Sequence, residues 1–189
     1  MNWHNYSRVI PACSHAMFSA SNYHWIDYDL EKAISYAKSS KAKELGTKLH
    51  AFAANAISLR QPLSGKGTIA RYVNDAIKFG MDTEVLLYYS PYFFGTADSI
   101  VIDRKGKVRI HDLKTGVNPA SMKQLYVYDA LYCLDYHVEP KDVAHELRIY
   151  QNDEIYIDNP DPDMIHGIMD KIVLIDKELD NLAKNGELI

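Results

Sequence analysis

Two aspartates and a lysine stand out between Tyr92 and Gly116, in YFFGTADSIVIDRKGKVRIHDLKTG. Asp98 opens one run of alternating apolar residues, Asp112 closes the next, and Lys114 lies two positions further on. Between the runs, Arg104-Lys105-Gly106 reads as a hairpin loop with glycine at the left-handed position. In that register Asp98 faces Asp112, Ile100 faces Ile110 and Ile102 faces Val108. Side chains alternate across a strand, so these six residues and Lys114 are expected on one face. Ser99, Asp103, Lys107, Arg109 and His111 fall on the other, which reads as the more polar. Opposed Cβ atoms lie about 4.5–5.5 Å apart, so two facing carboxylates repel unless something positive sits between them. A divalent cation removes the conflict, since Mg²⁺ takes one or two carboxylates and completes its shell with water and phosphate oxygens. The ordinary fate of such groups is a capped strand end and a solvated ion pair worth little. Here they terminate an apolar face, and the small pair Thr115-Gly116 follows, which favours a site.

The elements that must hold this hairpin are legible on either side. DYDLEKAISYAKSS and KAKELGTKLHAFAANAISLRQ read as two helices, the second with Leu45, Leu49, Phe52, Ala53 and Ala56 at helical spacing. TIARYVNDAIKFG is a third helix, stopped by Gly80. TEVLLYYS is an apolar strand ahead of the hairpin, and ASMKQLYVYDALYCLDY returns to helical spacing after it. HELRIYQ and EIYIDN form a second hairpin turning at Asn152-Asp153. Beyond Pro160 and Pro162 a long amphipathic helix carries Ile165, Ile168, Ile172, Ile175, Leu179 and Leu182 in one seam. The expected fold is α/β (α+β): a central mixed sheet of five strands flanked by helices. One domain is expected over residues 1–189. Its helical N-terminal part covers 1–80, a sheet core with an inserted helix covers 82–158, and a C-terminal helix covers 161–185.

A chain of 189 residues with 47% hydrophobic and 24% charged residues has the composition of a folded domain. The only cysteines, Cys13 and Cys133, allow neither a disulfide framework nor an iron–sulfur cluster on four cysteines. The N-terminus lacks the layout of a secretory signal, and no run is long or apolar enough to span a bilayer, so a cytoplasmic protein without a membrane partner is expected. A net charge of −4 offers no bulk attraction for nucleic acid, so any such binding must use a local basic path or bound cations.

Five positions in order resemble the PD-(D/E)XK nuclease superfamily, in particular its RecB and lambda-exonuclease branch. They are GTKLH ending at His50, GTAD ending at Asp98, Asp112 and Lys114 in HDLKTG, and QLYVY with Gln124 and Tyr128. The resemblance implies a restriction-endonuclease-like core and a metal-dependent DNA nuclease, an exonuclease of phage-type recombination or repair. Its alternatives are a structure-specific endonuclease or a catalytically silent nucleic-acid-binding subunit of the same fold. It further implies that Asp98, Asp112 and the Leu113 backbone carbonyl bind one or two Mg²⁺ or Mn²⁺ ions, with His50 serving a second ion. Lys114 is implied to position or activate water and to stabilise charge, and Gln124 and Tyr128 to orient it. Glu84 sits where some relatives keep another acid near the metal.

DNA is the partner this implies. Lys48, Thr115 and Lys123 are candidates for its backbone, together with Lys38, Lys41 and Lys43 around the helix of His50. Among the 14 tyrosines, Tyr88, Tyr89, Tyr92, Tyr126, Tyr132 and Tyr136 are candidates for base stacking. The seam of the C-terminal helix either packs on its own sheet or joins copies into a ring, as in some lambda-type relatives.

Overall fold

The computed structural model describes residues 16–187. Cys13 and nearly all of the N-terminal stretch discussed above lie outside them. The chain divides into two compact units, Met1–Gly46 and Thr47–Ile189. In the first, a 3-10 helix over Ala20–Asp27 begins at Ser19, whose side-chain oxygen accepts the Asn22 N–H. All the strands and all the candidate residues of the hairpin site belong to the second.

The two helices expected before residue 61 are one: α1 runs over Leu30–Ser58. Nothing between them breaks a helix, and Ser39-Ser40 and Gly46 are simply carried within it. α2 covers Thr68–Phe79 and ends where Gly80, at φ 71°, takes the left-handed turn that a glycine accepts without strain. The strands are β1 (Asp82–Ser90), β2 (Phe93–Ile102), β3 (Lys107–Leu113), β4 (Ala144–Gln151) and β5 (Glu154–Asp158). α3 (Lys123–Asp135) lies between β3 and β4, and α4 (Pro162–Lys184) closes the order. The fold is α+β, with a five-stranded mixed sheet flanked by helices, as expected. Its strand order is β1-β2-β3-β4-β5. Every neighbour is antiparallel except β3 and β4, whose parallel pairing requires a crossover, supplied here by α3.

Each face of the sheet has its own core. Ala53, Ala56 and Ile57 of α1 and Tyr72, Val73 and Ala76 of α2 pack with Met81, Leu113 and Tyr150. On the other face, Leu125 and Leu131 of α3 and Ile165 and Ile172 of α4 bury Ile100, Val108, Ile110, Leu147 and Ile149. Removing a side chain such as Ile110 down to alanine leaves a cavity costing about 2–5 kcal/mol. The seam of α4 therefore packs on its own unit over its first half. Ile175 is exposed, and Leu179 and Leu182 are partly so.

The face read as polar is covered rather than solvated. Ser99 and His111 are fully buried there. Arg109 bridges Asp103 at 2.8 Å and Glu146 at 3.0 Å, while Arg148 bridges Glu146 and Asp75. Both guanidinium groups lie over the Phe79 ring. Burial holds His111 neutral, lowering its pKa to about 3. Among the described residues no helix is long and apolar enough to cross a membrane.

Candidate active site

The β2–β3 ladder has the register that the turn dictates: Ile102 pairs with Val108, Ile100 with Ile110 and Ser99 with His111. There it stops, one position short of the expected Asp98–Asp112 pair. The strands part because β3 stays with β4: Leu113 pairs with Tyr150, and the Lys114 N–H donates to the Tyr150 carbonyl at 2.9 Å. Asp98 fills the fork with its side chain, whose Oδ2 accepts the Leu113 N–H at 2.9 Å.

A break in alternation aims Asp98 into that fork. On β2, Gly95 and Ala97 lie towards α3, yet Ser99 bonds to Met81 in the core of the other face. On β1, Val85 and Leu87 pack with the α3 side, whereas the Thr83 hydroxyl meets Ser58 of α1. Both strands change face at one register position, between Thr83–Ser99 and Val85–Ala97, where Glu84 and Asp98 stand opposite each other outside the ladder. Glu84 takes up the change with φ 53°, a left-handed conformation costing a non-glycine residue about 1–2 kcal/mol. Asp98 therefore does not share one regular face with Ile100 and Ile102; it stands at the crossing point, next to Asp112.

Asp112 is 2% exposed. Lys114 Nζ lies 3.0 Å from its Oδ1 and 2.9 Å from its Oδ2, but hydrogen-bond geometry is met only at Oδ1. Oδ2 is thus buried without a donor. Burial, and then repulsion from Asp98, pushes the Asp112 pKa up to about 6 against the pull of Lys114. His50 of α1 brings Nδ1 to 3.3 Å from Asp98 Oδ2, and that contact raises the imidazole pKa despite partial burial. Tyr72 lies beneath the acids. Burial raises its phenol pKa, and the charges of Asp98, Asp112 and Glu84 add to the effect.

Outward from Asp112 the groups form a chain. Lys114 Nζ donates to Gln124 Oε1 at 2.7 Å, and Gln124 Nε2 donates to the Tyr128 hydroxyl at 3.0 Å. An ammonium only donates, so the Gln124 oxygen must face Lys114, which leaves its NH₂ for Tyr128. One helical turn separates the two residues and puts them on one side of α3. The Tyr128 ring lies on β2 where Gly95 has no side chain; a Cβ there would sit 2.8 Å from Tyr128 Cε1.

Asp98, Asp112, Lys114, Gln124, Tyr128 and His50 are thus brought together. Glu84 is exposed and shares with His50, Thr47 and Asn55 the lining of a depression of about 350 Å³. Thr115 is exposed beside Lys114, Lys48 is exposed two residues before His50, and Lys123 is exposed at the first residue of α3. Of the tyrosines, Tyr88 is exposed and stacks on Phe94, and Tyr132 is buried against Tyr136. Two contributors escaped the sequence. Tyr72 carried no signal beyond its place on an amphipathic helix. Gly95 stood in the quoted GTAD, but its reason lies 33 positions away on α3.

Among the described residues no three His, Cys, Asp or Glu side chains are arranged to hold a metal ion by themselves. The oxygen donors nevertheless suit a hard cation. A buried Asp112 oxygen lacks a donor, a second acid repels it, and Mg²⁺ is commonly held by one or two carboxylates with water completing the shell. Compared with protein-family models, curated proteins and solved structures, the chain matches none.

Proposed function

We propose that the chain is a nuclease of the PD-(D/E)XK type that hydrolyses phosphodiester bonds in DNA with Mg²⁺ or Mn²⁺, acting as an exonuclease in phage-type recombination or repair. The observation that carries this reading is the continuous chain Asp112–Lys114–Gln124–Tyr128 beside Asp98, brought together from three successive elements, β2, β3 and α3. An isolated surface ion pair needs no such support.

Asp98, Asp112 and the Leu113 carbonyl would hold one cation, with His50 and Glu84 available to a second. A bound divalent ion supplies a water of lowered pKa and positive charge against the phosphate oxygens. The protein's own groups do the rest. Lys114, held between Asp112 and Gln124, donates to a non-bridging oxygen as charge builds there. Gln124 fixes the direction of Lys114, and Tyr128 fixes Gln124. Asp98 is held beside it by the Leu113 N–H, which its Oδ2 accepts.

End-labelled linear duplex incubated with Mg²⁺ tests the reading. The wild type is expected to shorten it from the ends, EDTA to stop the reaction, and a covalently closed circle to survive. Cleavage of the circle would make the chain an endonuclease. No cleavage with either metal on linear, single-stranded or circular DNA would falsify the proposal.

A further inference from the structure

The outer faces of α3 and α4, together with the start of β2, leave a groove of about 500 Å³ whose lining is almost wholly apolar. Phe93, Val127, Met164 and Ile175 line it. Val127 and Met164 are 40% and 39% exposed, although Ile165 and Ile172 already bury the inner stripe of α4. The apolar surface is therefore wider than the fold requires, and such surplus marks interaction sites. Two ammonium groups, Lys123 and Lys171, also line it. Neither has a carboxylate within salt-bridge distance among the described residues. In a chain of net charge −4, two unpaired cations beside an apolar groove specify a ligand that is apolar on one side and acidic on the other.

We infer that this groove docks an acidic amphipathic peptide segment of a partner protein, with apolar side chains seated between α3 and α4 and carboxylates reaching Lys123 and Lys171. The volume lies within the range of about 300–1,000 Å³ typical of compact ligands, so it admits a few side chains rather than a folded surface. The helix-in-groove mode supplies that geometry through apolar anchors one and two turns apart. Nucleic acid fits less well. Bases stack on aromatic faces, whereas this lining is mainly aliphatic. The inference does not depend on the nuclease reading.

The test uses the full chain and a fluorescein-labelled helical peptide of about 14 residues, with Leu at i, i+3 and i+7 and Glu at most other positions. A control peptide carries Lys for every Glu. Anisotropy is expected to give a Kd below about 100 μM for the Glu peptide and binding at least about tenfold weaker for the Lys peptide. Lys171→Glu is expected to reverse that preference, and Ile175→Glu to weaken the Glu peptide by about tenfold, with unchanged circular dichroism and, where cleavage is measurable, unchanged cleavage. Equal affinity for the two peptides, no binding of either, or displacement of the Glu peptide by a short oligothymidylate would overturn the assignment. So would a dimer in sedimentation that Ile175→Glu dissociates, since that result gives the groove to a second copy of the chain.

Discussion

Asp112 and Asp129 are both buried acids, at 2% and 0% exposure, and each has one basic neighbour. Each also has an Oδ2 without a well-formed hydrogen bond, and in each case burial raises the pKa. They differ in where the remaining interactions lead. Asp129 meets His145, whose Nδ1 lies 3.0 Å from Oδ1 and 2.8 Å from Oδ2. The other ring nitrogen of His145 is 2.8 Å from the Pro140 carbonyl. A carbonyl only accepts, so the imidazole donates at Nε2, and an ionised Asp129 makes it donate at Nδ1 as well. Burial works against that second proton, but Asp129 outweighs it and the His145 pKa is raised. The circuit closes inside the protein. Around Asp112, a second acid adds repulsion and the ammonium leads outward to Gln124 and Tyr128. One arrangement joins α3 to β4; the other runs outward to the exposed end of Gln124.

The largest expected contrast is in catalysis. Asp112→Asn is expected to lower Mg²⁺-dependent cleavage of end-labelled DNA on the order of a thousandfold, the scale of losing one electrostatic group from a dry site. The variant should keep its circular dichroism, because an amide still fits the space. Cleavage within threefold of wild type, about 0.7 kcal/mol, would remove the distinction between the two acids.

The mirror experiment acts on stability. Asp129→Ala leaves His145 buried without its carboxylate, which is expected to cost about 3–5 kcal/mol. In a chain of this length that is a Tm lower by about 10 °C. Cleavage per folded molecule should be unchanged at low temperature. A variant that melts normally and has lost activity would mean that the roles have been assigned the wrong way round.

Next comes pH. Asp112 holds its proton up to about pH 6 in the folded chain, against an ordinary value of 3.8. Between those values the folded state binds more protons than the unfolded state, so stability falls as pH rises through the window and levels off above it. The amplitude is about 3 kcal/mol for two pKa units. Urea midpoints measured in EDTA should therefore fall for the wild type relative to Asp112→Asn as pH rises from 4 to 7. Asp129 is raised as well, whereas buried His111, lowered to about 3, contributes a slope of the opposite sign; both are common to wild type and variant and cancel in the difference. Added Mg²⁺ should restore the wild type above pH 6 and leave the variant unmoved. Parallel profiles in EDTA would show that the buried carboxylate is already compensated.

What the sequence revealed and what it hid follow from the range of the interactions concerned. The β2–β3 register was readable because its turn is local: Gly106 takes φ 78°, and the Asp103 carboxylate accepts the N–H groups of Lys105 and Lys107. The β4–β5 turn was readable for the same reason, with Asn152 and Asp153 both at positive φ. The order His50, Asp98, Asp112, Lys114, Gln124, Tyr128 was visible as a motif. The change of face at Glu84 and Asp98 was not. No glycine or proline marks it, and the apolar pattern of β2 looks like unbroken alternation. The parallel pairing of β3 with β4, which opens the fork, depends on a partner more than 30 residues away. The Asp129–His145 pair, 16 residues apart, was hidden because no local pattern links a helix position to the following strand.

The smallest expected effect probes the outermost link of the open circuit. Tyr128 reaches Gln124 only because its ring rests on the bare backbone of β2, and a methyl group on Gly95 would meet Tyr128 Cε1 at 2.8 Å. Real Cβ contacts are not that short, and the far wall is backbone, so the ring must move. Gly95→Ala should then loosen Gln124 and release Lys114 from the direction it holds in the wild type. The expected loss is about tenfold in kcat, the lower end of what removing an outer supporting contact costs. Tyr128→Phe, which keeps the ring and removes the hydroxyl, should lose a similar factor, and Gly95→Ala combined with Tyr128→Phe little more than either alone. Additive losses would mean that the glycine serves the strand itself, and that the chain of contacts from Asp112 ends at Gln124.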